Sequence, residues 1–520
     1  MLELHTPVQA AQWLQGRVTG TLQTDSRQVR AGDGFIAWPG AATDGRQYVP
    51  AAIKQGASAC LVERLDVERF EFSGDRIGAC SGLKAACGPI AAAYFGQPSQ
   101  HLDVIAITGT NGKTTTAWWL AHALSNVELS TPVPCGLVGT LGIASPHRLM
   151  SQGPAAIEPV PNGLTTPDPI LLQRSLRDFV TEGVLACALE ASSIGIEEHR
   201  LDGTRIHTAV FTNFTQDHLD YHGSMQTYWQ AKAALFQWPG LRAAVLNLDD
   251  AKGRELAASL RADAQKSGLD VWTVSCAEPA RLRADNIRYG AGGLVFDVRE
   301  TNDGTVESHA LATRLIGQYN VSNLLCVIAA MRALGLPLAV CVESAKKLQP
   351  VPGRMECQGG QAAPMVVVDY AHTPDALDKV LQALRPLAQQ RGGKLWCVFG
   401  CGGDRDAGKR PLMGAMAARN ADHIVVTNDN PRNEKPQAIA DQIMPGLVGH
   451  SSVLVLLDRA LAISDVLRRA AADDVVLIAG KGHETYQDIA GTQHAFSDRA
   501  QAALGLRGWP AKQQAQGVGA

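Results

Sequence analysis

Between Ala106 and Leu120 the chain reads AITGTNGKTTTAWWL, and few backbone arrangements accommodate it. The apolar run Asp103–Thr108 suits a buried strand. Two glycines and an asparagine suit a tight turn, and the lysine with three threonines leads into a helix. A strand, a glycine turn and a helix in that order open a β–α–β unit, whose strands pair in parallel and are covered on both faces. Further short apolar runs at Val184–Glu190, Ala209–Phe214 and Ala243–Leu248, with helical stretches between them, extend that sheet.

The last third alternates in the same way. Strands are expected at Met365–Tyr370, Lys394–Gly400, His423–Asn428 and Val475–Gly480, with helices starting near Pro374, Pro411, Lys435 and Asp458. In a doubly wound α/β fold, ligands sit beyond the carboxyl ends of the strands. DYAHTPD, GCGGDRD, NDNPR and GKGHE all fall there. The first part is a small mixed region with strand-like GFIAWPG and SACLVE and an Ala-rich helix around Gly82–Phe95, closed by the GQPSQH linker. The expected fold is α/β in three domains: 1–98, small and mixed; 99–337, a parallel-sheet domain with the phosphate-type loop; and 338–520, Rossmann-like and doubly wound. At 520 residues the chain is too long for one core.

Composition narrows the function classes. A formal net charge of −3 gives no basic field for nucleic acid or anionic membrane. No apolar run approaches the roughly 20 residues a membrane span needs. The N-terminal MLELHTPVQAAQWLQG has no apolar core and does not read as a signal peptide. The 11 cysteines are scattered without a CxxC pair, which fits reduced thiols in a cytoplasm. The tail after Leu506 has no assignable role, and Trp118-Trp119 reads as packing.

In Gly109-Thr110-Asn111-Gly112-Lys113-Thr114-Thr115, the glycines allow backbone N–H groups to face a phosphate, and the following helix N-terminus adds favourable partial charge. Lys113 is placed to bridge the outer phosphates and Thr114 to bind Mg²⁺. A bare glycine turn would not require a lysine followed by three threonines. The usual GxxxxGK[ST] pattern would put glycine at position 107, where this chain has Ile107, so the loop is a shortened GxxGKT. The loop by itself is compatible with either an enzyme or a nucleotide switch.

Glu190 ends one strand and His218 follows another, so a carboxylate and an imidazole are available to hold Mg²⁺ near the phosphates. Ser224–Phe236 reads as an amphipathic helix with a serine cap. Its Lys232, taken alone, reads as a solvated lysine. Asp217, Asp220 and His222 read as capping or surface groups.

GTNGKTTT, EASSIG, TNFTQDHLDYHG, the helix lysine Lys232, GQYNVSN, VPGRME, DYAHTPD, GCGGDRDAGKRP, NDNPR and GKGHE occur in the order seen in Mur ligases. The chain resembles that family from Thr24 to Glu484. The resemblance implies an ATP-dependent, ADP-forming amide ligase of cytoplasmic peptidoglycan-precursor synthesis, acting as a monomer through an acyl phosphate. Lys113, Thr114 and two Mg²⁺ ions would serve the ATP phosphates. Glu190 and His218 would be metal ligands, and Lys232 would carry a CO₂-derived carbamate that assists a second Mg²⁺. Asn320, Arg354 and Asp369 would contact the nucleotide, with Asp369 near the ribose. With Lys113 and Asp369 in different domains, closure on ATP would assemble the site.

The same resemblance places a UDP-N-acetylmuramoyl dipeptide on the N-terminal and central regions. Thr24 and Ser26 in TDSR fall at the uracil-side loop, Thr165 and Thr166 on the sugar–peptide part, and Ser192 and Arg200 at the acidic tail. Ala41, Ala42 and Leu164 replace larger polar residues of some relatives and remove expected polar contacts. Arg405, Asp429, Asn430, Pro431, Arg432, Gly480 and Glu484 match the pocket for the incoming amino acid. A planar guanidinium holds a carboxylate through two parallel hydrogen bonds, so Arg432 suits the distal carboxylate of meso-diaminopimelate and repels the bare ammonium of L-lysine. Glu484 would take the distal ammonium. The alternatives are an L-lysine-adding ligase, disfavoured by Arg432; a folylpolyglutamate synthetase, which fits neither NDNPR nor TDSR; and a nucleotide switch, whose turnover no amino acid would stimulate.

Overall fold

The computed structural model describes residues 1–40, 43–128, 132–150, 159–290, 293–302, 304–507 and Trp509. Ala41, Ala42 and the end of the tail, 510–520, lie outside the described residues. The chain divides into two compact units. One comprises Met1–Thr212, Trp229–Val274 and Cys326–Ser344; the other comprises Asn213–Tyr228, Ser275–Leu325 and Ala345–Ala520.

In the first unit, among the described residues, the N-terminal strands form an all-parallel five-stranded sheet in the order Leu2–Glu3, Ile77–Cys80, Ala59–Glu63, Gly34–Ala37, Leu22–Gln23. The helices Pro7–Gln15 and Leu83–Tyr94 pack against it around Leu14, Ile36, Leu61 and Ile90. A second sheet runs Gly142–Ala144, Cys135–Gly139, Ala186–Glu190, Asp103–Thr108, Thr208–Phe211, Ala243–Asn247, Asp270–Ser275, parallel except for the first pair. The helix Lys113–Ser125 follows the central strand and is buried on nearly every side, as a helix covered by sheet and neighbouring helices should be.

Ile107 explains the shortened loop. It is fully buried within the central strand, paired with Val210 on one side and Glu190 on the other. The backbone leaves the strand only after Thr108, so position 107 needs a β-compatible side chain and not a turn residue. The neighbouring strand ends at Phe211, three residues earlier than its apolar run suggests. Thr212 is drawn toward the loop instead, its Oγ1 donating to the Asn111 carbonyl at 2.6 Å.

In the second unit, among the described residues, a six-stranded sheet runs Glu356–Gly359, Met365–Asp369, Val475–Ala479, Leu395–Phe399, His423–Val426, Val453–Val455, parallel apart from its first pair. Every residue of Val475–Ala479 is fully buried. Burial of each of its larger aliphatic side chains contributes roughly 1.5–3 kcal/mol. The helices Pro374–Arg391, Lys409–Asn420, Pro436–Ile443 and Arg459–Arg469 connect the strands, close to their sequence-based starts. Pro411 falls in the first turn of the Lys409 helix, where a missing N–H leaves no helical bond unmade. DYAHTPD, GCGGDRD, NDNPR and GKGHE emerge from the carboxyl ends of adjacent parallel strands. A three-stranded antiparallel ribbon, Leu282–Gly290, Gly293–Asn302 and Thr305–Ala312, also belongs to this unit.

Two of those loops are tied from behind by a buried ion pair. Arg459 and Asp498 are both fully buried and meet through two hydrogen bonds of 2.7 Å. Arg459 also donates to the carbonyls of Asn428 at 3.0 Å and Ala479 at 2.9 Å, the residues just before NDNPR's Asp429 and GKGHE's Gly480. Breaking a buried pair strands the remaining charge, so Asp498→Ala is expected to lower unfolding free energy by roughly 3–5 kcal/mol in urea melts. A loss under about 1 kcal/mol would show that Arg459 finds compensation elsewhere.

Candidate active site

The first unit gathers many of the sequence-predicted residues around one carboxylate. Gly112 has a φ of 84° and precedes the helix, leaving the first-turn amides facing the loop. Lys113 Nζ donates to the carbonyls of Gly109 at 2.8 Å and Thr110 at 3.0 Å, so the ammonium lies over the loop that Thr110, Asn111 and Thr115 complete. Thr114 Oγ1 donates to Glu190 Oε2 at 2.9 Å. Glu190 stands at a strand end and is only 1% exposed. Its Oε1 accepts from Thr140 N at 2.8 Å, and its Oε2 also accepts from Thr140 Oγ1 at 3.1 Å. Gly139 admits this approach, since a Cβ there would lie 2.2 Å from Glu190 Oε1.

The same cluster extends to the predicted sugar–peptide residues. Thr140 Oγ1 meets Thr165 Oγ1 at 3.1 Å. Thr166 Oγ1 donates to the Glu190 carbonyl at 2.8 Å, and lies 3.0 Å from Ser192 Oγ. Arg200 Nη1 donates to the Thr166 carbonyl at 3.1 Å. Thr24 and Ser26 stand apart from this cluster, on the turn after the edge strand Leu22–Gln23, where Asp25 caps the short helix Ser26–Gln28. Leu164 is exposed.

Lys232 departs from the solvated lysine expected of a lone helix residue. It is 1% exposed, and its Nζ donates to the Gly109 carbonyl at 2.9 Å. The carbonyl at the mouth of the phosphate loop supplies the partner that makes this burial tolerable.

The second unit holds the remaining residues. His218 has φ 52° and starts a short helical turn. Beside it, Asp217 is buried, with its Oδ2 3.4 Å from His218 Nε2 and 3.9 Å from His372 Nε2. Burial alone would raise the Asp217 carboxyl; the His218 and His372 imidazoles, the Lys409 ammonium and the His218 N–H outweigh it and bring it down to about 2. Burial pushes His372 below its ordinary value, and Lys409 adds to that effect. Asp369 is used as a backbone clamp: Oδ2 accepts from Met355 N at 2.7 Å and Oδ1 from Ala371 N at 2.8 Å. Its burial holds it above the usual carboxylate range despite Arg354 and these two donors. The Arg354 guanidinium lies 4.4 Å from the Tyr370 ring centre. Asn320 lies in the first turn of the helix Tyr319–Ala333, with Nδ2 donating to the Ile316 carbonyl at 2.7 Å.

The predicted amino-acid residues cluster at the strand ends. Arg432 is half-buried with φ 49°, and its Nη1 donates to the Gly403 carbonyl at 2.7 Å. Its backbone is stapled to the hairpin Tyr486–Ile489/Thr492–Ala495 through Arg432 N to Asp488 O at 3.0 Å and Ala490 N to Arg432 O at 2.8 Å. Asn430 Nδ2 donates to Glu484 Oε2 at 2.9 Å. Gly480 is required by space: a Cβ there would stand 2.8 Å from Asp429 Oδ2. Pro431 is buried, whereas Arg405 is exposed and lies 3.7 Å from Asp220.

Sequence reasoning missed Thr140, Asp217 as a buried ion, His372 and Lys481. The Gly-Thr-Leu-Gly turn after an apolar run was the available signal for Thr140. His372 lies inside a polar cluster already noted, DYAHTPD.

Parallel α/β sheets carrying a phosphate-type glycine loop and polar strand-end loops define a nucleotide-dependent α/β enzyme. The Mur ligase middle domain matches residues 107–331; the Mur ligase, glutamate ligase domain matches 353–482; and the Mur ligase family, catalytic domain matches 20–77. The chain belongs to the Mur ligase family. It is 58% identical over 510 residues to a UDP-N-acetylmuramoyl-L-alanyl-D-glutamate–2,6-diaminopimelate ligase from Acidovorax sp. (strain JS42), covering 97% of this chain and 98% of that one. A like-named protein of Janthinobacterium sp. (strain Marseille) is 47% identical, over 93% and 94% of the two chains. A solved structure bearing that enzyme's name superposes with a TM-score of 0.61 at 35% identity, covering 94% of each chain. The MurF ligase of Thermotoga maritima in complex with ADP shares the fold at a TM-score of 0.63 and 18% identity, over 97% and 99% of the chains.

A carboxyl that titrates lower in the folded chain lends stability above its unfolded value of 3.8 and loses it as the pH falls to about 2. Asp217→Asn is therefore expected to cost roughly 2 kcal/mol near neutrality. The gap should close between pH 4 and pH 2, read from urea midpoints across that range. A gap independent of pH would remove Asp217 as the titrating group.

Proposed function

We propose that this chain is the ATP-dependent, ADP-forming ligase that joins meso-2,6-diaminopimelate to UDP-N-acetylmuramoyl-L-Ala-D-Glu, acting as a monomer in the cytoplasm. The observation that carries this reading is 58% identity to a diaminopimelate ligase across 97% of the chain. The presence of the Arg432 guanidinium and the Glu484 carboxylate on strand-end loops of one sheet supports it. No helix among the described residues is long and apolar enough to cross a membrane, and all 11 cysteines are free thiols. In this reading residues 1–98 hold the UDP end, 99–337 the ATP and 338–520 the amino acid.

A carboxylate is a poor electrophile. Transfer of the γ-phosphoryl of ATP to the substrate carboxylate gives an acyl phosphate and ADP; the amine then attacks the acyl carbon and phosphate leaves. The chain's part is to hold two anions together and to place the amine. The glycine loop, the helix N-terminus and Lys113 would bind the phosphates, with Asn320, Arg354 and Asp369 serving the nucleoside. Thr165, Thr166, Ser192 and Arg200 would orient the peptide carboxylate, and Thr24 and Ser26 the uracil side. Arg405, Asp429, Asn430, Pro431, Arg432, Gly480 and Glu484 would hold diaminopimelate.

Hard oxygen donors suit Mg²⁺, and Thr114 Oγ1 and Glu190 Oε2 already lie 2.9 Å apart. No group of three or more His, Cys, Asp or Glu side chains gathers as a metal site among the described residues. Thr114, Glu190, His218 and Lys232 as a carbamate would hold two Mg²⁺, which when bound neutralise charge on the phosphates.

Phosphate release from ATP with the UDP-linked dipeptide is expected with meso-diaminopimelate and not with L-lysine or without an amino acid. Arg432→Ala should raise the KM for diaminopimelate by roughly 30-fold or more. Release with lysine would point to the lysine-adding relative, and release without an amino acid to a nucleotide switch. Lys232→Met should cut turnover by roughly 100-fold or more, and ¹³C-labelled bicarbonate should give a carbamate resonance in the parent only.

A further inference from the structure

Lys481 is fully buried just beyond the strand Val475–Ala479, and the function proposed above gives it no role. Its Nζ donates to Glu484 Oε2 at 2.7 Å and to Asn430 Oδ1 at 2.9 Å, and lies 3.7 Å from Asp429 Oδ1. Asn430 is held in one orientation: its Oδ1 also accepts from Asp488 N at 3.0 Å, while its Nδ2 donates to Glu484 Oε2 at 2.9 Å. Both donors fall on the same Glu484 oxygen. The other oxygen, Oε1, has the Tyr370 hydroxyl at 3.5 Å, the outer edge of a hydrogen bond.

The charges follow the same pattern. Two carboxylates, Asp429 and Glu484, face one lysine ammonium within 4 Å. The group as a whole keeps one net negative charge, and the oxygen with the weaker partner carries much of its accepting capacity. That arrangement suits a primary ammonium, which brings one positive charge and three donors. Without the lysine, the buried Asp429 and the partly buried Glu484 would lose the cation between them, and Glu484 would lose the shorter of the two bonds that fix its rotamer.

We propose that Lys481 is a positioning and specificity residue: it pins Glu484 and Asn430 so that Glu484 Oε1 faces the distal ammonium of the incoming amino acid. This rests on the reading of Glu484 as the ammonium partner. The test separates the two by substrate. meso-Diaminopimelate carries the distal ammonium, whereas 2-aminopimelate keeps the distal carboxylate and lacks that ammonium. In steady-state turnover at saturating ATP and UDP-linked dipeptide, Lys481→Met is expected to raise the KM for diaminopimelate by roughly 30- to 300-fold. The KM for aminopimelate and for ATP should move by less than about 3-fold. Lys481→Gln, which keeps one hydrogen bond without the charge, should fall between the two and stands in if the methionine variant does not fold. Equal losses on both amino acids, or an unchanged KM for diaminopimelate, would overturn the proposal. Glu484→Ala locates the failure. If it leaves the preference for diaminopimelate over aminopimelate intact, the reading of Glu484 falls. If it abolishes that preference while Lys481→Met does not, only the role of Lys481 falls.

Discussion

A carboxylate removed from water must find its hydrogen bonds where it stands, and this molecule repeatedly satisfies that demand with groups from neighbouring strand ends. Glu190 takes Thr114 from the phosphate-loop helix and Thr140 from the turn after Cys135–Gly139. Asp369 takes backbone N–H groups on either side of its strand, from Met355 and Ala371. Asp498 pairs with the arginine that grips the strand ends before Asp429 and Gly480. In each case the cost of burial is offset by fixing loops that a parallel sheet places side by side but does not itself hold in position.

The sheet order explains why those loops are neighbours. Strand Val475–Ala479 lies between Met365–Asp369 and Leu395–Phe399, although among this sheet's strands it comes last in the sequence. GKGHE therefore emerges beside DYAHTPD and GCGGDRD, with NDNPR one strand further. An open sheet with a late central strand brings loops far apart in sequence to one edge. The hairpin Tyr486–Ile489/Thr492–Ala495 then closes over NDNPR through the backbone of Arg432.

The strands were legible because their apolar runs are continuous, as burial on both faces demands. Asp103–Thr108 coincides with the run that announced it, and Val475–Ala479 ends one residue short of its expected end at Gly480. Glycine loops and strand-end clusters were legible for a similar reason, since they interrupt those runs. Pairings were not. Thr140 and Glu190 are 50 residues apart and meet only through sheet order, and nothing local distinguishes Lys232, buried against Gly109, from a solvated helix lysine. Asp217 looked like a surface group because its two histidines lie at sequence distances no period relates. The relation of Ala41 and Ala42 to any ligand falls outside the described residues.

Specificity for a zwitterionic side-chain end poses a problem that one charge cannot solve. A guanidinium alone attracts any carboxylate, and a carboxylate alone attracts any ammonium, including that of lysine. Discrimination needs both, at fixed separation, with enough opposing charge nearby to make a half-matched ligand costly. In the proposed reading Arg432 and Glu484 are the two poles. Each is held by groups outside itself: Arg432 by the hairpin backbone and the Gly403 carbonyl, Glu484 by the side chains of Lys481 and Asn430. Lysine would leave the guanidinium unmatched, whereas a ligand lacking the ammonium would leave Glu484 unmatched. The selectivity of such a pocket resides as much in the groups that immobilise its poles as in the poles themselves.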